Sequence, residues 1–272
     1  MQSSQVALIQ DSFFLGDKEK NYKLMEERVH ECSRKYPQAE LLVFPEMSAT
    51  GYFLDATILE QGESREGETF EKVSSLAKRK NVYIIYGFPE TAEPGENRLY
   101  NSINVVTPLG ERAATYRKVH VTALEKAYFK PGSNIQTVET ELGTLGLMIC
   151  WDLAFPEMAR LLQKKGSHLL VAPSAWEMPY QYAFKQFAAA RAIDQSLFVA
   201  AVNHTGQSEV LDFFGESVFF LPDGQLASQG PFKQTDIVTG HVNRAFQRKC
   251  KSEFFCMDIE RRTDLYDVMA VK

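Results

Sequence analysis

Three segments of the 272-residue sequence place a reactive side chain where an apolar strand is predicted to end. Glu46 follows LLVFP, Lys118 ends a strand-like segment that starts at the LGE turn, and Cys150 ends TLGLMIC. Polar side chains at the ends of apolar strands tend to meet in one site of an α/β domain. A carboxylate, an ammonium and a thiol together can activate a nucleophile and stabilise an oxyanion. The pattern therefore raises the hypothesis of nucleophilic catalysis by Cys150.

Each segment also has a plainer interpretation. Glu46 could be an exposed loop acid, Lys118 a solvated strand end, and Cys150 an inert buried thiol, because free cysteine is among the most buried residue types. Directly after Pro45 and an apolar strand, however, the Glu46 carboxylate would be partly desolvated, which raises its pKa toward the range of a general base. A helix beginning after Cys150 would favour the thiolate through its dipole.

Two further residues near Lys118 bear on its role. Glu125 follows it by seven residues, and a buried ammonium held between two carboxylates would stay charged and aimed. His120 shares a strand face with Lys118 by alternation and raises the alternative of a Cys–His dyad. The sequence carries none of the papain or caspase signatures. We therefore expect His120 to have a structural or supporting role.

The segments that carry these residues alternate between strands and helices. Predicted strands cover 4–10, 41–44, 82–88, 100–106, 112–118, 144–150, 168–173, 197–203 and 236–242, with a hairpin over 217–230, and predicted helices cover 17–35, 67–80, 156–166 and 180–194. This alternation predicts an α/β domain in layers. Antiparallel neighbours such as 82–88 and 100–106 favour two mixed sheets flanked by helices over one doubly wound sheet. No linker-like stretch divides the chain, so we expect one domain over 1–272, and the segment 247–261 fits no predicted element.

Composition narrows the class of function. The net charge of -5 argues against a nucleic-acid binder, and no apolar stretch approaches the roughly 18 residues of a membrane span. The start of the chain lacks a signal-peptide pattern, and its four cysteines form no CxxC pair, which predicts a cytoplasmic protein with reduced thiols. The five histidines form no metal-binding motif, and no glycine-rich nucleotide loop is present. We expect a small-molecule enzyme without metal or cofactor.

Four motifs, taken in order, resemble the nitrilase superfamily of carbon–nitrogen hydrolases. They are FPEMSATGY around Glu46, YRKVH around Lys118, EKAYFKPG from Glu125 and ICWDLAFPEMAR around Cys150. The segments APSAW, RAIDQSLFVAAVN and RRTDLY agree with the same family, so the resemblance spans nearly the whole chain.

The resemblance implies a fold, a chemistry and a set of roles. The family has an αββα sandwich, usually paired into an αββα–αββα homodimer or a higher even oligomer, and acts on nitriles, amides or carbamoyl groups without metal or organic cofactor. Glu46 would be the general base, Cys150 the nucleophile, Lys118 the oxyanion-stabilising cation and Glu125 a positioning glutamate. The backbone N–H of Trp151 would be a second oxyanion donor. By the same analogy, the helix 180–194 packs across the dimer interface; the alternative is core packing.

The substrate is less closely defined. Relatives that cleave N-carbamoyl-D-amino acids carry arginines where this chain has Leu153 and Ala154, which disfavours that activity. Aromatic residues that could wall the substrate site, or belong to the core, are Tyr52, Phe129, Trp151, Trp176 and Tyr180. We expect a small, largely uncharged linear amide to be hydrolysed to carboxylate and ammonia through a thioester. The alternatives are a nitrilase or N-carbamoyl amine amidohydrolase on the same triad and, more distantly, an acyltransferase or a non-catalytic binding protein.

Overall fold

The computed structural model describes residues 3–93, 95–208 and 210–266. The strands are β1 (Ser4–Gln10), β2 (Ala39–Val43), β3 (Tyr83–Thr91), β4 (Leu99–Val106), β5 (Arg112–Arg117), β6 (Phe129–Lys130), β7 (Thr137–Thr140), β8 (Gly143–Leu147), β9 (Leu169–Ser174), β10 (Phe198–Asn203), β11 (Thr205–Gln207), β12 (Asp212–Phe214), β13 (Val218–Phe220), β14 (Leu226–Gln229) and β15 (Asp236–Val242). The helices are α1 (Lys18–Lys35), α2 (Glu68–Lys80), α3 (Pro156–Lys164), α4 (Gln181–Gln195), α5 (Arg244–Glu253), α6 (Met257–Glu260) and α7 (Thr263–Tyr266). Short 3₁₀ turns cover Ala56–Gln61, Glu125–Ala127 and Cys150–Ala154.

The strands form two mixed sheets. The first has the order β15-β1-β2-β3-β4-β5, with β6 added to β4, and the second has the order β14-β13-β10-β9-β8-β7. The central strands β1, β2 and β3 run parallel, as do β8, β9 and β10. The outer strands pair antiparallel, except β6, which runs parallel to β4. A small ribbon of β11 and β12 completes the described strands.

Alternation along β1 shows how the layers form. Val6 and Leu8 belong to the core between the two sheets, which also contains Leu145 and Val171 of the second sheet. Ala7 and its neighbours on the other face pack against the buried stripes of α1 and α2. Helices α3 and α4 cover the second sheet with their own apolar faces. The predicted αββα sandwich is therefore confirmed.

One predicted strand differs from the structure, and one segment that was left unassigned is helical. The strand expected over 144–150 ends at Leu147, because the chain turns where the Ile149 N–H bonds to the Asp152 carboxylate at 2.9 Å. A regular helix begins only at Pro156. The unassigned segment 247–261 falls on α5 and α6, and Asn243 caps α5 by accepting bonds from two backbone N–H groups. Across the described residues, no helix combines the length and apolarity needed to span a bilayer.

Candidate active site

The ends of the central strands bring the predicted residues together. Glu46 lies in the turn after β2, Lys118 directly follows β5, and Cys150 lies in the turn after β8. The Lys118 Nζ is 2.8 Å from Glu46 Oε1 and 2.7 Å from Glu125 Oε1, and all three side chains are at most 1% exposed. The interpretations of Glu46 as an exposed loop acid and Lys118 as a solvated strand end are therefore wrong.

The two carboxylates that hold Lys118 differ in their own surroundings. Glu125 Oε2 accepts a bond from the Thr122 N–H at 2.8 Å, whereas Glu46 Oε2 is buried without a hydrogen-bond partner. Burial raises the pKa of Glu46, and Lys118 only partly offsets this. Burial also acts on Glu125, but Lys118 and the Thr122 N–H outweigh it and lower the pKa of Glu125. One carboxylate is thus suited to hold the ammonium and the other to accept a proton.

The charge of Lys118 is secured by these neighbours. Burial alone would lower the pKa of Lys118, but the carboxylates of Glu125 and Glu46 outweigh it and raise that pKa well above its ordinary value. An ammonium fixed in this way is a ready electrostatic partner for an oxyanion.

Cys150 has left-handed backbone, with φ of 49°, and is 8% exposed. Burial, followed by the Glu46 charge, raises the pKa of its thiol well above the ordinary value, although Lys118 and the Ala175 backbone oppose the rise. The expectation that a helix start would favour the thiolate is therefore wrong, because Cys150 opens a five-residue 3₁₀ turn and not a helix. A protonated thiol requires a base, and the unbonded Oε2 of Glu46 can serve as one.

Asp152 fixes the turn that carries Cys150. Its Oδ2 accepts bonds from Tyr116 Oη at 2.7 Å and from the Ile149 N–H at 2.9 Å. Its Oδ1 accepts the His120 N–H at 3.0 Å and lies 2.7 Å from His120 Nδ1. The His120 ring stacks on Phe155 with a centroid distance of 3.7 Å. His120 thus has a supporting position, and these contacts do not favour a Cys–His dyad.

Sequence reasoning missed two residues of the site. The Asn101 Nδ2 donates to Glu46 Oε1 at 2.7 Å and to Glu125 Oε1 at 3.2 Å, and its backbone oxygen accepts from the Lys118 N–H. His204 Nε2 contacts the Glu46 backbone oxygen at 2.5 Å, and burial lowers the pKa of His204 to about 4. The neutral ring therefore donates from Nε2. A polar residue within or just after an apolar strand was the available signal in both cases.

A cavity of about 440 Å³ opens above Lys118 and Cys150. The described residues that line it are Tyr52, Leu54, Lys118, Thr122, Leu124, Cys150, Trp151, Ala175, Trp176, Glu177, Tyr180, Ala183, Phe187 and Leu211. Most of these side chains are apolar, and Lys118 and Cys150 give the cavity its reactive surface.

Only some of the residues that were predicted to wall the substrate site line the cavity. Tyr52, Trp151 and Trp176 line the cavity as expected. Phe129 does not line it: the side chain is fully buried in a cluster with Met47, so it supports the wall from behind. Leu153 is likewise fully buried in the core, and its position does not contact the cavity.

Comparison with known proteins identifies the family of this chain. The family model described as carbon–nitrogen hydrolase matches residues 5–251. The chain belongs to this family. A probable nitrilase of Schizosaccharomyces pombe is 34% identical over 264 residues, covering 97% of each chain. A 2-oxoglutaramate amidase of Bacillus subtilis is 28% identical and covers 96% of this chain and 98% of its own.

Solved structures of nitrilase-superfamily proteins share the fold. A carbon–nitrogen hydrolase from Helicobacter pylori G27 superposes with a TM-score of 0.92 at 24% identity, covering 99% of both chains. A mutant of the amidase from Nesterenkonia sp. AN1, crystallised with butyramide, gives a TM-score of 0.83 at 23% identity and covers 97% of each chain. These structures confirm the fold, and the family model and the 34% identical probable nitrilase confirm the assignment predicted from the four motifs.

Proposed function

We propose that this carbon–nitrogen hydrolase is a cysteine-dependent amidase that converts a small linear amide to a carboxylate and ammonia. The observation that carries the proposal is the Lys118 ammonium, clamped by Glu46 and Glu125 beside Cys150 at the base of an apolar cavity. Nucleophile, base and oxyanion partner are then all present in one place.

The first half of the reaction forms a thioester. Glu46 Oε2 takes the thiol proton as the Cys150 sulfur attacks the amide carbon. Negative charge develops on the carbonyl oxygen, where Lys118 and the Trp151 N–H stabilise it, a contribution of about 3 kcal/mol per donor in comparable sites. The protonated Glu46 then gives its proton to the nitrogen, and ammonia leaves as the C–N bond breaks.

The second half of the reaction hydrolyses the thioester and regenerates the free enzyme. Glu46 takes a proton from water, the resulting hydroxide attacks the thioester carbon, and Lys118 again stabilises the oxyanion. The C–S bond breaks, Cys150 recovers a proton from Glu46, and the carboxylic acid departs. Asn101 and Glu125 hold Lys118 and Glu46 in place throughout.

The size and lining of the cavity favour a substrate amide that is small and lacks a carboxylate. Its volume of about 440 Å³ lies in the lower part of the range for small-molecule sites, and its described wall contains no arginine. The one lining ammonium, Lys118, is already matched by two carboxylates. A substrate carboxylate would therefore find no free cation along the described wall.

The test is ammonia release from a panel of short aliphatic amides, ω-amides, carbamoylated amines and nitriles. We expect amide turnover by the wild type and a loss of at least about 1,000-fold in Cys150→Ala, because the nucleophile is removed. Cys256→Ser is the matched control, since this thiol lies outside the cavity and should leave turnover unchanged.

Other outcomes select the alternatives. Preferred release from nitriles or carbamoylated amines would move the assignment to those branches of the same triad. No ammonia from any compound, with Cys150 still alkylated, would favour acyl transfer to an amine. An unreactive Cys150 would favour a non-catalytic binding protein.

A further inference from the structure

One carboxylate on the cavity wall has no part in the proposed chemistry. Glu177 follows Trp176 and lines the cavity, where it is half-buried. Its backbone is fixed on both sides, by the bridge to Phe213 and by the bond from the Tyr180 N–H to its oxygen at 3.0 Å. The side chain therefore leaves a rigid segment.

Among the described residues, no cation pairs with the Glu177 carboxylate. Its own backbone N–H donates a hydrogen bond to it. Burial raises the pKa of Glu177, and the Glu125 charge adds to this effect. Its own backbone N–H and, to a smaller extent, Lys118 oppose the rise. Glu177 is thus within electrostatic range of the catalytic cluster. Since Lys118 is already paired with Glu46 and Glu125, no free cation along the described cavity wall offsets the charge of Glu177.

The walls near Glu177 suit an alkyl chain that ends in a cation. Trp151, Trp176 and Phe187 all line the cavity, with ring centroids 5.5 to 6.3 Å apart. Aromatic faces pack against methylene groups and attract ammonium groups. A carboxylate in the same place would be repelled by Glu177.

We propose that Glu177 is a specificity residue, which selects amides carrying a primary ammonium group at the end remote from the scissile bond. This inference rests on the proposed amidase function and names its substrate class. The amide carbonyl lies at Cys150 and Lys118, the alkyl chain lies along the aromatic walls, and the ammonium pairs with Glu177.

The experiment compares three amides of similar length. 5-Aminopentanamide carries the cation, hexanamide is its neutral isostere, and glutaramate carries a carboxylate. We expect the wild type to show a kcat/KM for 5-aminopentanamide at least about tenfold above that for hexanamide, and glutaramate to be the poorest of the three. Glu177→Gln should reduce the cationic-to-neutral ratio about tenfold, mainly through KM, and Glu177→Lys should shift preference toward glutaramate.

The matched control is Glu157→Gln, an exposed acid in the first turn of α3 that does not line the cavity. It should keep the wild-type ratio. A ratio in Glu177→Gln within about twofold of the wild type would overturn the inference while leaving the amidase function intact.

If no amide is hydrolysed, the proposed amidase function is contradicted. The role of Glu177 can then still be tested by measuring binding with calorimetry. In Cys150→Ala, 5-aminopentanamide should bind more tightly than hexanamide, and adding Glu177→Gln should remove the difference. Equal binding of the two amides to Cys150→Ala would reject the role of Glu177.

Discussion

At the scale of single residues, the open oxygen of Glu46 distinguishes two otherwise similar acids. Both Glu46 and Glu125 contact Lys118 and Asn101 through Oε1, but only Glu125 also bonds through Oε2. Burial raises the pKa of both acids. Lys118, helped by the Thr122 N–H, outweighs burial at Glu125, whereas at Glu46 burial prevails over Lys118 and the Glu125 charge raises the pKa further. The surroundings of each carboxylate, and not its residue type, therefore give Glu46 the proposed role of base and Glu125 the proposed role of holding Lys118.

His204 leads to a prediction for stability against pH. Its ordinary pKa is 6.5, and burial lowers it to about 4 in the folded protein. The unfolded chain therefore takes up the proton first as pH falls, so stability is complete above about 6.5 and is lost between about 6.5 and 4. A difference of about 2.5 pH units, at about 1.4 kcal/mol per unit, amounts to about 3 kcal/mol. Denaturant unfolding at several pH values measures this loss of unfolding free energy.

The control for this prediction is His204→Gln, whose side-chain amide can still donate to the Glu46 oxygen but does not titrate. Its free energy of unfolding should fall less steeply than that of the wild type between pH 6.5 and 5, above the range of ordinary carboxylates. Parallel curves for the two proteins would show that His204 is not the group responsible.

At the scale of elements, the turn after β2 depends on close contact with β3. The Gly87 N–H bonds to Ser48 Oγ at 3.1 Å, and the Gly87 oxygen accepts the Ala49 N–H at 2.9 Å. A Cβ at Gly87 would lie 2.2 Å from the Met47 nitrogen, which is backbone and cannot move aside. The turn bearing Glu46 can approach the strand only because Gly87 lacks a side chain.

We predict that Gly87→Ala displaces this turn. The expected result is a destabilisation of about 1–3 kcal/mol together with a fall in kcat of at least tenfold, because Glu46 moves away from Lys118. Denaturant unfolding and ammonia release measure the two effects. Gly62→Ala is the control, since its Cβ would meet only the side chains of Leu99 and Thr91. Full activity in Gly87→Ala would contradict the proposed contact.

At the scale of the whole molecule, apolar side chains remain exposed on the C-terminal helices. Phe254 is 80% exposed and Ile259 is 86% exposed, while Tyr182 is exposed on α4, which α6 contacts. Exposed apolar groups on adjoining elements are typical of an interface. We propose that they belong to the interface of the homodimer that the family resemblance implies, with α4 and the C-terminal helices facing the partner.

We predict that light scattering gives twice the mass of one chain at micromolar concentration, and that Phe254→Glu shifts the protein toward monomer by placing a charge in the interface. Leu109→Glu is the matched control, because Leu109 is 69% exposed in the turn between β4 and β5. A monomeric wild type would reject the dimer.

The helices and strands were predicted from the sequence more completely than the contacts of the candidate site. Apolar alternation located β1, α1, β10 and β15 closely, because burial of one face controls local structure in each. The end of β8 was placed three residues late, because Asp152 turns the chain by a tertiary bond to Ile149. Asn101 and His204 were missed, because their roles depend on partners 55 and 158 residues away.

The family, the layered sandwich and the candidate site residues Glu46, Lys118, Glu125 and Cys150 were predictable from the sequence, because strand ends and motif order are local properties. The folded structure was needed to show which carboxylate has an oxygen without a hydrogen-bond partner and that the pKa of the Cys150 thiol is raised. It also decided that Glu177, not Phe129, lies on the cavity wall. Burial and pairing set these features, and both depend on residues brought together from distant parts of the chain.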